Sequence, residues 1–209
     1  NCGNAYFHSA VVSALYDFSG IRISASERTT YQTGDKNGNR GNVKMVYTGT
    51  YHSPLGNLLL AADDTGLTGL WFEGQKYFAR TLPEEQLLKE TPVLAETRHW
   101  LNIYFSGEEP AFTPPLHPAG SAFRQAVWQI LLQIPYGKTM TYGEIAREMA
   151  KRQQVSHMSA QAVGGAVGHN AISIIIPCHR VIGANGSLTG YAGGIDKKAA
   201  LLELERTVL

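Results

Sequence analysis

The chain has 209 residues, of which 44% are hydrophobic, and a net charge of +1. This size and composition predict one or two small domains with an ordinary packed core. No apolar stretch is long enough for a membrane span, and no basic start precedes an apolar run, so we expect neither a membrane protein nor a signal peptide. The charge is uneven: residues 43–115 carry five basic and nine acidic side chains, whereas residues 116–209 carry nine and five. The C-terminal half is therefore better suited to a phosphate backbone.

The two cysteines, Cys2 and Cys178, do not resemble a secreted disulfide framework. The seven histidines show no zinc-ligand spacing, so we expect no metal site. A cysteine that reacts as a thiolate needs a reducing compartment, which predicts the cytoplasm, or the nucleus in a eukaryote. Residues 1–42 include a polar stretch at 24–42, which predicts a flexible arm of unassigned role, with a short helix at residues 11–16.

Residues 43–115 have the pattern of a small α+β scaffold domain. Residues 46–51 are β-rich, and the apolar runs 58–62 and 67–72 are joined by Asp63-Asp64-Thr65-Gly66, a strong hairpin signal. Thr91 and Pro92 predict the start of a helix that ends near Gly107. The residues on its apolar face are Val93, Leu94, Thr97, Leu101 and Tyr104.

The proline-rich residues 109–119 predict an extended linker to a C-terminal domain, residues 116–209. Apolar residues at helical spacing predict a helix from Phe123 to Ile134. Thr141 and Glu144 form a capping box for the next helix, and Ser159 can cap another at residues 160–167. Two short helices with a polar turn have the outline of a helix-turn-helix. The second is unusually thin, which suits either a close approach to DNA or close packing against the segment of Cys178.

The apolar run at residues 172–176 predicts a short buried strand that ends at Pro177. Cys178 would then stand at the end of a rigid element, beside the imidazole of His179 and the positive charge of Arg180. A neighbouring base or cation raises the thiolate fraction of a cysteine. Alone, such a cysteine is more often a small buried hydrophobic residue. An Asn-Gly turn at 185–186 and a glycine-rich loop at 190–194 follow it.

The sequence Ile-Pro-Cys-His-Arg-Val at 176–181, followed by Gly-Tyr-Ala-Gly-Gly at 190–194, resembles the active-site signature of the O6-alkylguanine-DNA alkyltransferases, or methylated-DNA–protein-cysteine methyltransferases. Further matching segments follow the family order at 123–128, 134–137, 141–146 and 162–166. The resemblance covers residues 43–209. It implies an α/β (α+β) protein with an RNase H-like N-terminal domain and a mainly helical C-terminal domain that carries a helix-turn-helix and a short active-site strand.

The resemblance implies direct DNA repair, in which an alkyl group moves from O6 of guanine to Cys178 after the nucleotide is flipped out of the duplex. It does not separate O6-alkylguanine from O4-alkylthymine. The expected partner is double-stranded DNA, and a monomer is expected. Thiolate attack on an sp3 carbon forms a stable thioether, so the protein would be consumed without any cofactor.

The resemblance also implies roles for individual residues. Cys178 is the nucleophile, His179 its base through a bridging water, and Glu205 the carboxylate that pairs with the histidine. Asn170 ties the helix-turn-helix to the active-site strand. The base pocket would use the hydroxyl of Tyr142 on the guanine ring, the carbonyls of Cys178 and Val181 on its exocyclic amine, the amide of Ala192 on O6, Tyr191 as a wall, and Lys198 for the leaving guanine.

On the DNA-facing helix, an arginine of the family fills the gap left by the flipped base, and Gln161 occupies that position here. Glutamine can still form hydrogen bonds and fill space, but it brings no charge. The other residues expected to face DNA are Ala160, Ala162, Gly164, Thr141 and Arg180.

Other interpretations of the same residues stay open at this point. A cysteine hydrolase would use Cys178 and His179 on an acyl substrate, whereas a non-catalytic damage sensor of the alkyltransferase-like kind lacks the cysteine. A regulatory domain could report alkylation through residues 1–42. Tyr142 could merely cover a helix start, Tyr191 could be packing, and Glu205 could be solvated, with Glu203 close beside it.

Overall fold

The computed structural model describes residues 45–206. The predicted arm at residues 1–42, with its helix at 11–16, lies outside the described residues. These described residues lie within one compact unit, and the predicted division near residue 115 stays a prediction. Within the described range, no helix has the length and apolarity needed to cross a membrane.

The N-terminal layer is a four-stranded sheet. Its strands are β1 (Tyr47–Ser53), β2 (Gly56–Ala62), β3 (Leu67–Phe72) and the short β4 (Leu87–Leu88). They lie in the order β3-β2-β1-β4, in which β2 pairs antiparallel with β1 and β3, and β4 pairs parallel to β1. The hairpin predicted at residues 63–66 is confirmed. Asp63 closes it because its Oδ1 accepts the backbone N–H groups of Thr65 and Gly66 at 2.8 and 3.0 Å.

Helix α1 (Pro92–Phe105) packs on this sheet and begins as predicted. The Thr91 side chain accepts the Leu94 N–H, and proline occupies the first turn. Its buried residues are Leu94, Thr97, Trp100, Leu101 and Tyr104, which is close to the predicted face.

The C-terminal part is helical, with the elements α2 (Ala122–Leu131), β5 (Met140–Thr141), α3 (Tyr142–Arg152), α4 (Ala160–Gly168), a 3₁₀ turn (Cys178–Arg180), β6 (Val181–Ile182) and α5 (Ile195–Arg206). Helix α2 ends at Leu131, three residues before the predicted end. The capping box of Thr141 and Glu144 is present, and Ser159 caps α4. Helices α3 and α4 pack against each other and against α2, where Trp128 donates its Nε1–H to the Ala166 carbonyl at 3.0 Å.

The strand predicted at residues 172–176 is wrong, although the run is buried. Ile172 makes one isolated parallel bridge to Leu70, and residues 173–175 form a turn in which Ile174 has a φ of 69°. The reason is a side chain: Asn170 donates to the carbonyls of Ile172 and Ile176 at 3.0 and 2.8 Å and accepts the Ile172 N–H at 2.9 Å. These are backbone groups that a strand would have used in its ladder.

The edge of β3 joins the sheet to the C-terminal part at two places. Leu67 donates its N–H to the Pro115 carbonyl and accepts the His117 N–H, both at 2.7 Å, so the end of the extended 109–119 segment is bound to the sheet. Leu70 likewise donates to the Ala171 carbonyl and accepts the Ser173 N–H, both at 2.8 Å. The turn that leads to Cys178 is therefore mounted on the N-terminal sheet.

The core predicts the effect of truncating a buried side chain on α1. Leu101 is fully buried, whereas Leu88 is 83% exposed at the sheet edge. Leu101→Ala should lower the free energy of unfolding by about 3 kcal/mol, because it removes buried methyl groups and leaves a cavity. Leu88→Ala is the matched control and should change it by less than about 0.5 kcal/mol. Urea unfolding measures both, and equal effects would contradict this description of the core.

Candidate active site

Cys178 begins the 3₁₀ turn after Pro177 and is 3% exposed. Its Sγ accepts a hydrogen bond from Asn170 Nδ2 at 3.1 Å. Burial raises the pKa of the Cys178 thiol, and the Asn170 hydrogen bond and the charge of Lys198 only partly oppose this. The resting sulfur is therefore a thiol at neutral pH and needs a base to become a nucleophile.

His179 lies next to Cys178 in the chain and has no solvent exposure. Its Nε2 is 2.6 Å from Glu205 Oε1. Burial lowers the pKa of His179, and the carboxylate of Glu205 opposes that shift without cancelling it. The neutral ring then carries its proton on Nε2, where it donates to Glu205, and its lone pair on Nδ1. Nδ1 is buried and has no hydrogen-bond partner among residues 45–206, so it can accept a proton.

Glu205 is 1% exposed and is the most heavily bonded side chain of the site. Besides His179, it accepts Arg180 Nε on Oε2 at 2.9 Å, the Tyr104 hydroxyl on Oε1 at 2.8 Å, and the Gly137 N–H on Oε2 at 3.1 Å. Burial opposes its ionisation, but the hydrogen bonds from His179 and Arg180 and the positive charge of Arg180 outweigh burial and lower the pKa of Glu205 to about 2. Glu205 is therefore a buried carboxylate rather than a solvated one.

Two of these partners were not predicted from the sequence. There, Tyr104 falls only on an apolar helix face, and Gly137 only within the matching segment at 134–137. The available signal was a tyrosine among apolar core positions, because a buried hydroxyl requires a hydrogen-bond partner.

The expectation that Arg180 faces DNA does not fit its position. Its side chain is 10% exposed, and its guanidinium donates to both oxygens of Glu205 and to the Ile134 carbonyl at 2.6 Å. A buried carboxylate needs a counter-charge, so the guanidinium is held inside and is not available to a phosphate.

Lys198 is also fully buried, on helix α5. Its Nζ donates to the carbonyls of Val181 and Thr189, the latter at 2.7 Å. Burial lowers the pKa of Lys198 to about 8, while a negative charge on Cys178 would raise it. Lys198 thus links the segment after Cys178 to the start of the glycine-rich loop, and one hydrogen bond to the Val181 carbonyl is already made.

A cavity of about 810 Å³ lies between helix α4 and the loop at residues 189–195. Tyr142 lines it and donates its hydroxyl towards the carbonyls of Thr189 and Gly190 at 3.1 and 3.3 Å. Burial raises the pKa of Tyr142, so the hydroxyl keeps its proton and remains a donor. Ala192 and Tyr191 also line this cavity, whereas Cys178 lies outside its lining.

The thin side of α4 faces this cavity. Ala160, Gln161, Gly164, Gly165 and Gly168 line it, while the buried side consists of Val163, Ala166 and Val167. A Cβ on Gly165 or Gly168 would meet no atom within 4 Å, so close packing does not explain these two glycines. Ala162 is exposed on the same helix, and Thr141 is a half-buried cap that accepts the Glu144 N–H at 3.2 Å.

Residues 46–118 match the ribonuclease-like domain of 6-O-methylguanine DNA methyltransferase, and residues 122–207 match its DNA-binding domain. The chain belongs to this family. The methylated-DNA–protein-cysteine methyltransferase of Haemophilus influenzae is 43% identical over 162 residues, which cover 77% of this chain and 87% of that protein. The Mycobacterium tuberculosis protein of that name is 45% identical over 166 residues, covering 78% of this chain and 94% of that protein.

Solved structures agree with this assignment. The structure described as M. tuberculosis OGT in complex with DNA matches with a TM-score of 0.65 and 43% identity, covering 78% of this chain and 93% of that one. The family and the mixed α/β fold expected from the Cys-His-Arg signature are therefore confirmed. Membership favours alkyl transfer over the cysteine hydrolase.

The buried ion pair predicts the effect of removing its cation. Arg180→Met should lower the free energy of unfolding by about 3–5 kcal/mol, because the Glu205 charge stays buried without its guanidinium. Arg206 lies on α5, the helix of Glu205, where it pairs with Glu203 at 3.8 Å, and its side chain is 74% exposed. Arg206→Met should cost less than about 1 kcal/mol. Thermal and urea unfolding compare the two variants, and a stable Arg180→Met protein would contradict the role of the pair.

Proposed function

We propose that the protein repairs duplex DNA by moving an alkyl group from O6 of guanine to Sγ of Cys178, in a single irreversible turnover. The observation that carries this proposal is a buried thiol that accepts an amide hydrogen bond from Asn170 beside a neutral imidazole held by a buried carboxylate. Family membership supports an alkyl group as the group transferred. The relative whose structure contains DNA supports DNA as the partner.

The lesion reaches the thiol only as a flipped nucleotide, because the alkyl carbon is buried in the base stack. The small residues on the cavity side of α4 support a close approach of the DNA backbone, and the proposal is that Gln161, which lines the same cavity, occupies the vacated space. Extrusion costs a few kcal/mol, and less when the alkylated pair is already weakened. The cavity between α4 and the 189–195 loop is the space available to the base.

The thiol is activated inside the buried network. The Cys178 proton passes to Nδ1 of His179, directly or through one water, and Glu205 stabilises the imidazolium that results. The amide of Asn170 and the ammonium of Lys198 stabilise the thiolate, as their effects on the pKa of Cys178 indicate. The thiolate therefore forms in a water-poor site, where its charge is balanced by fixed groups.

In the transfer step, the thiolate attacks the alkyl carbon, the S–C bond forms and the C–O6 bond breaks. The bonding electrons leave with the guanine, whose ring nitrogen takes the proton of Tyr142, and the proton stored on His179 restores the tyrosine. The N–H of Ala192 is the proposed donor to O6, Tyr191 walls the pocket, and the carbonyls of Cys178 and Val181 receive the exocyclic amine. Charge and protons balance without a cofactor.

The product is a thioether, so the protein is consumed. We propose that it acts as a monomer, since one chain supplies the thiol, its base, the carboxylate and the cavity lining.

Intact-mass analysis tests the acceptor. Incubation with a duplex that carries one O6-methylguanine should add one methyl group per molecule, located on Cys178 by peptide mapping. Cys178→Ser should gain none, and Asn170→Ala should react about 10- to 100-fold more slowly, because an amide donor to a developing anion is lost. A methyl group on another residue, or repeated turnover, would refute the proposal.

Gln161, the uncharged residue at the position of the family arginine, provides a second test. Gln161→Arg should tighten binding to duplex DNA and steepen the dependence of log K on log salt concentration by about one, because one phosphate contact is added. Gln129→Arg adds the same charge on an exposed position of α2, outside the α4 cavity. Fluorescence anisotropy at several salt concentrations should show the larger change for Gln161→Arg. Equal changes in the two variants would contradict the proposal that Gln161 lies in the DNA interface.

A further inference from the structure

We infer that Tyr77, in the loop after β3, is a positioning residue for DNA-bound substrate, and that it acts by stacking on His169 at the end of α4. The inference rests on the proposed function and extends it, because it makes the N-terminal layer part of the site. From the sequence, residues 43–115 are predicted only as a scaffold domain.

The geometry at Tyr77 is unusual for a loop residue. Its ring stacks on the His169 ring with centroids 4.4 Å apart and planes 19° apart. Lys76 Nζ and Arg80 Cζ lie 5.0 and 5.6 Å from the centroid of the same tyrosine ring. Tyr77 has a φ of 62°, a left-handed conformation that is unfavourable for a residue with a side chain and persists only where other contacts enforce it.

His169 is held from the other side by α4 itself. It is the C-cap residue of that helix, and its Nδ1 lies 2.7 Å from the Gly165 carbonyl, so Nδ1 carries the hydrogen and donates. Both residues line the cavity, together with Gly165. The stack therefore fixes the C-terminal end of the helix that carries Gln161.

The two residues before Tyr77 form hydrogen bonds to two other segments of the site. Gln75 is 7% exposed, and its Oε1 accepts from Phe72 N–H at 2.9 Å and from the Ser173 hydroxyl at 3.1 Å. Lys76 donates its N–H to the Ala192 carbonyl at 2.9 Å. Residues 75–77 thus contact the turn before Cys178 and, at the cavity proposed for the base, the glycine-rich loop and the C-cap of α4.

The stack should affect DNA-bound substrate more than chemistry at the thiol. Asn170 is anchored independently of His169 by its bonds to Ile172 and Ile176, so the amide that contacts Cys178 stays in place without Tyr77. Helix α4, in contrast, loses a contact at its C-terminal end. A flipped nucleotide remains attached to DNA that rests on α4, whereas a free base does not depend on that helix in this way.

The test compares two substrates: a duplex with one O6-methylguanine, and the free base O6-benzylguanine. In Tyr77→Ala, the second-order rate constant with the duplex should fall about tenfold, because one aromatic stack is lost. The rate constant with the free base should stay within twofold of the wild type. Tyr77→Phe keeps the ring and should restore the duplex reaction, and Phe78→Ala, a 39% exposed neighbour in the same loop, is the control.

Each outcome decides between the two levels of the proposal. If the wild type reacts with neither substrate, the proposed function fails. If the wild type reacts and Tyr77→Ala loses nothing, or loses the same factor with both substrates, only the role of Tyr77 is overturned. Failure of Tyr77→Phe to recover the duplex rate would also overturn it, because the ring would then not be the acting group.

Discussion

The buried carboxylate of Glu205 is the constraint on which the rest of the site depends. A charge in the interior costs several kcal/mol unless it is paired and fully hydrogen-bonded. Here Arg180, Tyr104, His179 and the Gly137 backbone supply donors to its two oxygens. These donors come from α1, the turn after α2 and the turn that carries the thiol, so satisfying one charge brings three parts of the chain together around α5.

The same carboxylate determines the chemistry of the neighbouring imidazole. Because Glu205 is ionised, its Oε1 accepts a hydrogen bond from His179 Nε2–H, so the ring proton is held on Nε2. The lone pair of the neutral ring is then on Nδ1, which has no partner among the described residues. A neutral base is thereby kept ready in a place that excludes water. Burial also keeps the Cys178 thiol protonated at rest, so the sulfur becomes a strong nucleophile only after it loses its proton.

The N-terminal sheet contributes more than a platform. The edge of β3 holds the turn before Cys178 through Leu70, and the loop that follows reaches the pocket through Lys76 and Tyr77. The reactive segment therefore depends on backbone partners far away in the sequence. This gives a physical reason for the two matched domains to occur together in one compact unit.

Local signals in the sequence determined the hairpin at Asp63, the start of α1 at Thr91, the capping box at Thr141 and the cap at Ser159, since each depends on residues only a few positions apart. The Cys-His-Arg signature also determined the family. The turn at residues 173–175 was not predicted, although the Asn170 side chain that takes the backbone groups of Ile172 and Ile176 lies only a few positions away. Tertiary structure alone decided that Arg180 points inward. It also decided the stack of Tyr77 on His169. These contacts depend on which distant groups meet in a low-dielectric interior, where an unpaired charge or hydrogen-bonding group costs more than any local preference contributes.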